Sequence, residues 1–277
     1  DEVHTLLPRD AIPALTNPRT EPAADADWLS PGARVIEVTA GGGDNGNPAA
    51  ALAVPLMILD FHEIANITLD GEPLAVTYCP LCDSAAVFSR RVETDDGETE
   101  VLEFGVSGAL YNSNVLMYDR AHKGLWSQLA MKAVTGPMAG ATLDARPVRI
   151  IDFGTFRTRH PDGRVVNRDT GHERPYSEDS VYKDYFATDR LMVPVRSVGD
   201  DLEKKKTLGV GIAAADGRAW FVTADALGDK GLTIDTPAGP VEARATEAGV
   251  EIVRAPAGVR TAQTFYYAWS AFYPTTE

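Results

Sequence analysis

Short apolar runs broken by glycine, proline and acidic turns dominate the chain, and stretches of helical period are few. Residues 34–39 carry Val35, Ile36 and Val38 and read as a strand, followed by a glycine-rich loop at 41–48. Residues 53–64 mix a short strand with a helical turn that sends Leu56, Ile58, Leu59 and Ile64 inward. Residues 74–77 and 85–88 are β-favouring apolar runs, 94–98 a polar hairpin tip, and 100–104 the next strand. Gly105 to Gly108 is expected to bend the chain before a strand at 115–118, a turn at 119–124 and a further strand at 125–128. A strand at 149–151 and one helical turn at 155–159, stopped by Pro161, come next. This succession is a β-meander.

The flanks read differently. Residues 1–32 are rich in Pro, Asp and Ala and are expected to form an extended arm anchored by Trp28 and Leu29. Residues 162–206 are polar and irregular, with Tyr176, Tyr182, Tyr185 and Phe186 spread through them. A connection of that length in a compact body is usually functional or covers a site. A worn echo follows. Ile67-Thr68-Leu69-Asp70 recurs as Leu232-Thr233-Ile234-Asp235, and residues 241–245 and 250–253 form a hairpin where the first copy has its cysteines. The expected fold is therefore mostly β (β-rich α+β), with two related β-meander halves in one globular body and short peripheral helices. Its divisions are the arm 1–32, a first half 33–161, a connecting or cover segment 162–206, and a degenerate second half 207–277.

Composition narrows the function classes. A net charge of −14 over 277 residues, without a Lys/Arg stripe, argues against nucleic acid as a partner. No run approaches the ~20 apolar residues of a membrane helix. No basic and apolar leader opens the sequence, so a secretory signal is expected to be absent or already removed. The loop at 41–48 lacks the G-x-G-x-x-G and G-K-[ST] patterns of phosphate cradles.

Candidate chemistry converges on Cys79-Pro80-Leu81-Cys82, which holds both cysteines of the chain. The apolar β run that follows reads as a strand, so the pair is expected on a bend between strands. A thioredoxin-like C-x-x-C would instead open a helix. Such a knuckle aims two sulfurs at one point and suits copper or zinc, with His62 as a third ligand and a coordination position left open for redox or hydrolytic chemistry. Glu63 is then a general base or a support for the imidazole. His122 is a weaker candidate, His160 ahead of Pro161 reads as a helix-stop contact, and Met117 offers a thioether, although a strand Met is usually core. Tyr78, Tyr111, Asn112, Ser113, Trp126 and Gln128 are candidate pocket residues for an unknown small molecule or protein. Asn and Ser at a bend also close turns unaided. Ser127 lacks the surroundings of a hydrolase nucleophile. Two other readings stay open: a thiol–disulfide redox pair, and a non-catalytic interaction module with a small structural disulfide.

These residues carry a resemblance. Ile12-Pro13-Ala14-Leu15, His62-Glu63-Ile64, Val76-Thr77-Tyr78-Cys79-Pro80-Leu81-Cys82 and Phe104-Gly105-Val106-Ser107-Gly108 look like bacterial and archaeal proteins of domain-of-unknown-function family 3179. Tyr111-Asn112-Ser113-Asn114, Met117-Tyr118-Asp119-Arg120, Trp126-Ser127-Gln128, Asp189-Arg190-Leu191-Met192 and Ala271-Phe272-Tyr273-Pro274 extend the likeness. The resemblance implies no assigned activity. It does imply an extracytoplasmic home, periplasmic or secreted, because similar proteins generally look exported or lipid-anchored. The glycine-rich insertion at 41–47 departs from the short turn of relatives.

Overall fold

A computed structural model describes residues 3–41, 50–94, 97–193, 195 and 205–277. Strand content is 43% against 14% helix, so sheets set the architecture and the short helices decorate it. The expected loop at 41–48 and the tip at 94–98 lie partly outside the described residues.

The central sheet has eight strands. Its main path runs Ala219–Thr223, Leu208–Ala213, Arg260–Phe265, Ser84–Ser89, Glu72–Cys79, Ile64–Leu69 and Leu15–Thr16, and Ala145–Arg146 adds beside Ser84–Ser89. Strands from both ends of the chain thus share one sheet, joined where Gln263 faces Ala85. Period-two alternation splits the strand Glu72–Cys79 between two cores. Leu74, Val76 and Tyr78 pack with Ile36, Val54, Ile58 and Ile150. Ala75 and Cys79 pack on the other face with Phe104, Met117, Trp126 and Trp269. Burial on both faces explains why the run reads as continuously apolar rather than alternating.

Two five-stranded sheets cover those faces. One joins Ile150–Asp152, Arg34–Ala40, Ala50–Pro55, Arg164–Val166 and Thr20–Pro22. The other joins Val3–Thr5, Phe104–Tyr111, Asn114–Asp119, Leu125–Ser127 and Lys132–Ala133. The expected bend at Gly105–Gly108 is instead a bulge inside one strand, between Val106 and Leu110. Gly108, at φ 75°, has the Leu7 carbonyl where a Cβ would sit, so glycine lets the N-terminal segment lie against this strand. The arm is partly built into the fold: three of its segments pair with strands of the body, and Leu29 is buried.

Among the described residues, every α-helix but Lys183–Phe186 follows a strand directly. Leu56–His62 continues from Ala50–Pro55, and Phe153–Arg159 is capped by the Asp152 side chain on the Thr155 amide. The sequence missed the C-terminal helix Tyr266–Phe272, an aromatic-rich run whose local preference is ambiguous. Its Trp269 ring fills the space where Gly211 has no Cβ. The order strand, helix, strand, strand, strand occurs at residues 50–89 and again at 219–254.

Candidate functional site

The cysteine bend forms as the sequence suggests. Strand Glu72–Cys79 ends, Pro80–Cys82 makes one 3₁₀ turn, and Ser84–Ser89 returns antiparallel with Cys79 facing Ser84. Pro80 presets its φ and lacks the N–H that would go unsatisfied at the start of that turn. Asp83 takes a left-handed conformation, φ 43°, which lets the chain re-enter the sheet. Its carboxylate lies 3.0 Å from the Arg34 guanidinium and accepts a 2.7 Å hydrogen bond from the Tyr78 hydroxyl. The knuckle is thereby tied to Arg34–Ala40 on the far side of the sheet. Gln263 donates to the Asp83 carbonyl, and the Tyr267 hydroxyl donates to the Leu81 carbonyl at 2.8 Å.

Both cysteines are free thiols and buried. Thr77, Cys79 and Ser84 share one sheet face by strand parity, and Asn114 and Gln128 meet them from the covering sheet. The Asn114 amide lies 3.2 Å from Cys82 Sγ, 3.0 Å from Ser84 Oγ and 2.7 Å from Gln128 Oε1. Ser84 Oγ is 3.1 Å from Cys82 Sγ and donates to Gln128 Oε1 at 2.6 Å. Gln128 Nε2 donates to Thr77 Oγ1 at 3.0 Å. This network can accept from a thiol or turn its N–H and O–H groups toward a thiolate.

The two sulfurs differ accordingly. Burial drives the Cys79 thiol well above its ordinary range, and the negative charges of Cys82 and Glu63 push the same way. Burial also opposes ionisation of Cys82, but hydrogen bonds from Cys79, Ser84 and Asn114 outweigh it and hold that thiol below its ordinary value. Cys82 is the sulfur that loses its proton more readily.

Glu63 caps the helix Leu56–His62 at φ 55°, a conformation that glycine adopts more easily. Its N–H donates to the Leu59 carbonyl, and its own carbonyl accepts from Tyr78 N–H. Burial pushes its carboxyl up to about 8. The side chain therefore stands neutral beside Cys79 near pH 7.

Other candidates are dispersed. His62 is buried with both ring nitrogens engaged: Nδ1 is 2.6 Å from the Pro13 carbonyl, and Nε2 is 2.5 Å from the Tyr176 hydroxyl. Among the described residues, no group of three or more His, Cys, Asp and Glu side chains is arranged to hold a metal ion. His122 lies 2.8 Å from Glu100, and His160 lies 3.2 Å from Glu37. Met117 and Trp126 are core residues of the face that holds the cysteines, with Trp126 donating to Asp119. Tyr111 and Asn112 line a separate cavity of about 790 Å³ with Phe272 and Pro274. Ser113 is fully buried, and its hydroxyl has no hydrogen-bond partner among the described residues.

Sequence reasoning passed over Ser84 and Arg34, took Asp83 only as a weak helix cap, and met Asn114 only as part of the polar stretch 111–114. Ser84 and Asn114 had a legible signal, since each is a polar residue opening an apolar strand. Arg34 had none, because 49 residues separate it from its partner.

Fold and site together define a β-rich protein with a buried pair of unlike thiols at its centre. The chain belongs to the family described as protein of unknown function (DUF3179), whose match spans residues 9–257. Neither a curated protein nor a solved structure matches the chain. Among the described residues, no helix is long and apolar enough to cross a membrane.

Proposed function

We propose that Cys79 and Cys82 bind a soft monovalent cation, copper(I), in an extracytoplasmic protein. The observation that carries this reading is a pair of free, buried thiols on one bend, with the Ser84 hydroxyl and the Asn114 amide 3.1 and 3.2 Å from Cys82 Sγ. Copper(I) displaces the thiol protons: two S–H groups plus Cu⁺ become S–Cu–S⁻ plus two H⁺. The single negative charge left on the cluster is met by the Asn114 amide and the Ser84 hydroxyl beside Cys82. Thiolates select copper(I) by softness, and two-coordinate copper(I) leaves positions open to a further small ligand. Zinc prefers four donors, and two thiols supply half of them. His62 stays outside this ligand set, held by Pro13 and Tyr176. The extracytoplasmic setting rests on the family resemblance alone.

Anaerobic titration of the reduced chain with copper(I), against a competing chelator, tests the proposal. One ion per chain is expected, with binding lost in Cys79→Ser and in Cys82→Ser and retained in His62→Ala. Absence of stoichiometric copper(I), or binding that survives loss of either cysteine, sinks it.

A second reading is favoured by the unlike proton affinities of two buried thiols three residues apart, Cys79 pushed up and Cys82 held down. Cys82 would attack a small disulfide and expel one thiolate. Cys79, losing its proton, would then close the intramolecular disulfide and expel the other. Burial of both sulfurs counts against protein disulfides as substrates, so copper(I) is preferred.

A further inference from the structure

The segment from Asn167 to Met192 is built unlike the rest of the molecule. None of these 26 residues is buried, and among the described residues none pairs into a sheet. Between residues 168 and 192, every backbone–backbone hydrogen bond described closes within the segment. Gly171, at φ 80° with open space where a Cβ would sit, supplies backbone freedom near one end.

Mostly side chains hold this segment to the body; its main chain joins in through the Asn167 N–H on the Arg19 carbonyl and through the Tyr185 carbonyl, which accepts from Lys206 Nζ. The Tyr176 hydroxyl reaches His62 Nε2 at 2.5 Å and Thr170 Oγ1 at 2.7 Å, and its ring meets Phe61 edge-on. Glu178 accepts from the Ser30 amide at 2.7 Å and from the Ser30 hydroxyl at 2.5 Å. Between the two layers is a cavity of about 620 Å³, lined by Ser177, Glu178 and Ser180 above and by Met57, Asp60 and Tyr78 below. Further along, Phe186 and Leu191 pack against the cluster that contains both cysteines, with the Phe186 ring 5.6 Å from Phe265. Tyr182 is close enough to Cys79 and Glu63, and Tyr185 to both sulfurs, for their charges to act on the phenols.

Few buried contacts, largely self-contained backbone bonding and a cavity beneath are the marks of a unit that opens well below the free energy of global unfolding. We propose that residues 167–192 form a strap that swings open as a unit to admit a small ligand to the Cys79–Cys82 sulfurs, latched by Tyr176 on His62 and by Glu178 on Ser30. This rests on the reading of the sulfurs as a ligand site, and it gives His62 the role of latch.

Labelling of the two thiols tests the strap without reference to any metal. The reduced, metal-free chain is mixed with 4,4′-dithiodipyridine over a series of sub-denaturing urea concentrations. The wild-type labelling rate is expected to depend on urea far more weakly than global unfolding does. Tyr176→Phe, which keeps the ring and removes the hydroxyl, is expected to label about five-fold faster, as is Glu178→Gln. A wild-type rate with the full urea dependence of global unfolding overturns the proposal, as does a pair of variants that label no faster than wild type. If a variant fails to fold, the wild-type urea slope alone decides. A chain that labels through partial opening yet takes up no copper(I) keeps the strap and loses only the metal reading.

Discussion

Glu63 shows how one residue can be chosen against its local preference. Its backbone conformation suits glycine, yet a long acid stands there, with its N–H and carbonyl both engaged. Burial raises its carboxyl from the ordinary 4.5 to about 8, so the folded state favours the protonated form. The stability this contributes is complete below 4.5 and is lost progressively as pH rises toward 8. Glu63→Gln, neutral throughout, should therefore be more stable than wild type at pH 8 by up to about 4 kcal/mol, with most of the gap gone by pH 5. Urea midpoints at the two pH values check this, and a gap independent of pH would contradict a raised carboxyl. The sequence singled out Glu63 only by its nearness to the cysteines. That its carboxyl is neutral follows from neighbours brought in by the fold.

At the scale of elements, the cysteine knuckle is a two-sided construction. Hydrophobic alternation and the Pro80 turn are enough to place two sulfurs on a bend, and the sequence shows both. What fixes the bend comes from elsewhere. The Asp83 carboxylate is only 6% exposed and depends on Arg34, 49 residues upstream, for its counter-charge. Arg34→Met should cost about 3 kcal/mol, because it leaves a buried carboxylate unpaired. Adding Asp83→Asn should recover much of that loss, and a double-mutant cycle in urea measures the coupling. Additive single effects would show that the pair does not hold the turn. The same logic separates Asn114 from Tyr111 and Asn112. All belong to one polar stretch, yet strand geometry carries Asn114 to Cys82 while the turn sends its neighbours to a different cavity.

Across the whole molecule, a buried ion network ties distant segments together. Glu37 on Arg34–Ala40 meets Arg149, Arg159 and His160, and Glu251 on Val250–Arg254 meets Arg159 and Arg244. Burial opposes ionisation of Glu251, and the two guanidiniums outweigh it, so its carboxyl is held below 4.5. A depressed carboxylate contributes stability above its unfolded value and loses it as pH falls. Glu251→Gln is expected to lower stability by about 2 kcal/mol at pH 7, with the difference shrinking below pH 4.5. Denaturant unfolding at pH 7 and pH 4 measures it, and an equal loss at both would assign Glu251 a packing role instead. Arg159 bridges both carboxylates, so the C-terminal hairpin and the first strands are held in one body. The recurring element order in the two stretches is what a duplication would leave, although of the second only Ala219–Thr223 joins the central sheet, while Leu232–Thr236, Gly239–Ala245 and Val250–Arg254 form a sheet of their own.

The order of residues alone determined that the chain is built of short strands, that its cysteines sit on a bend between two of them, and that a long polar segment spans the middle. Each is a local matter, set by side-chain period, proline geometry and composition within a few residues. Only the tertiary structure decided which groups surround the sulfurs, which of the two ionises, and that His62 turns to Tyr176. Those depend on strand partners distant in sequence, and on burial, which acts on a charge only once the sheets have closed around it.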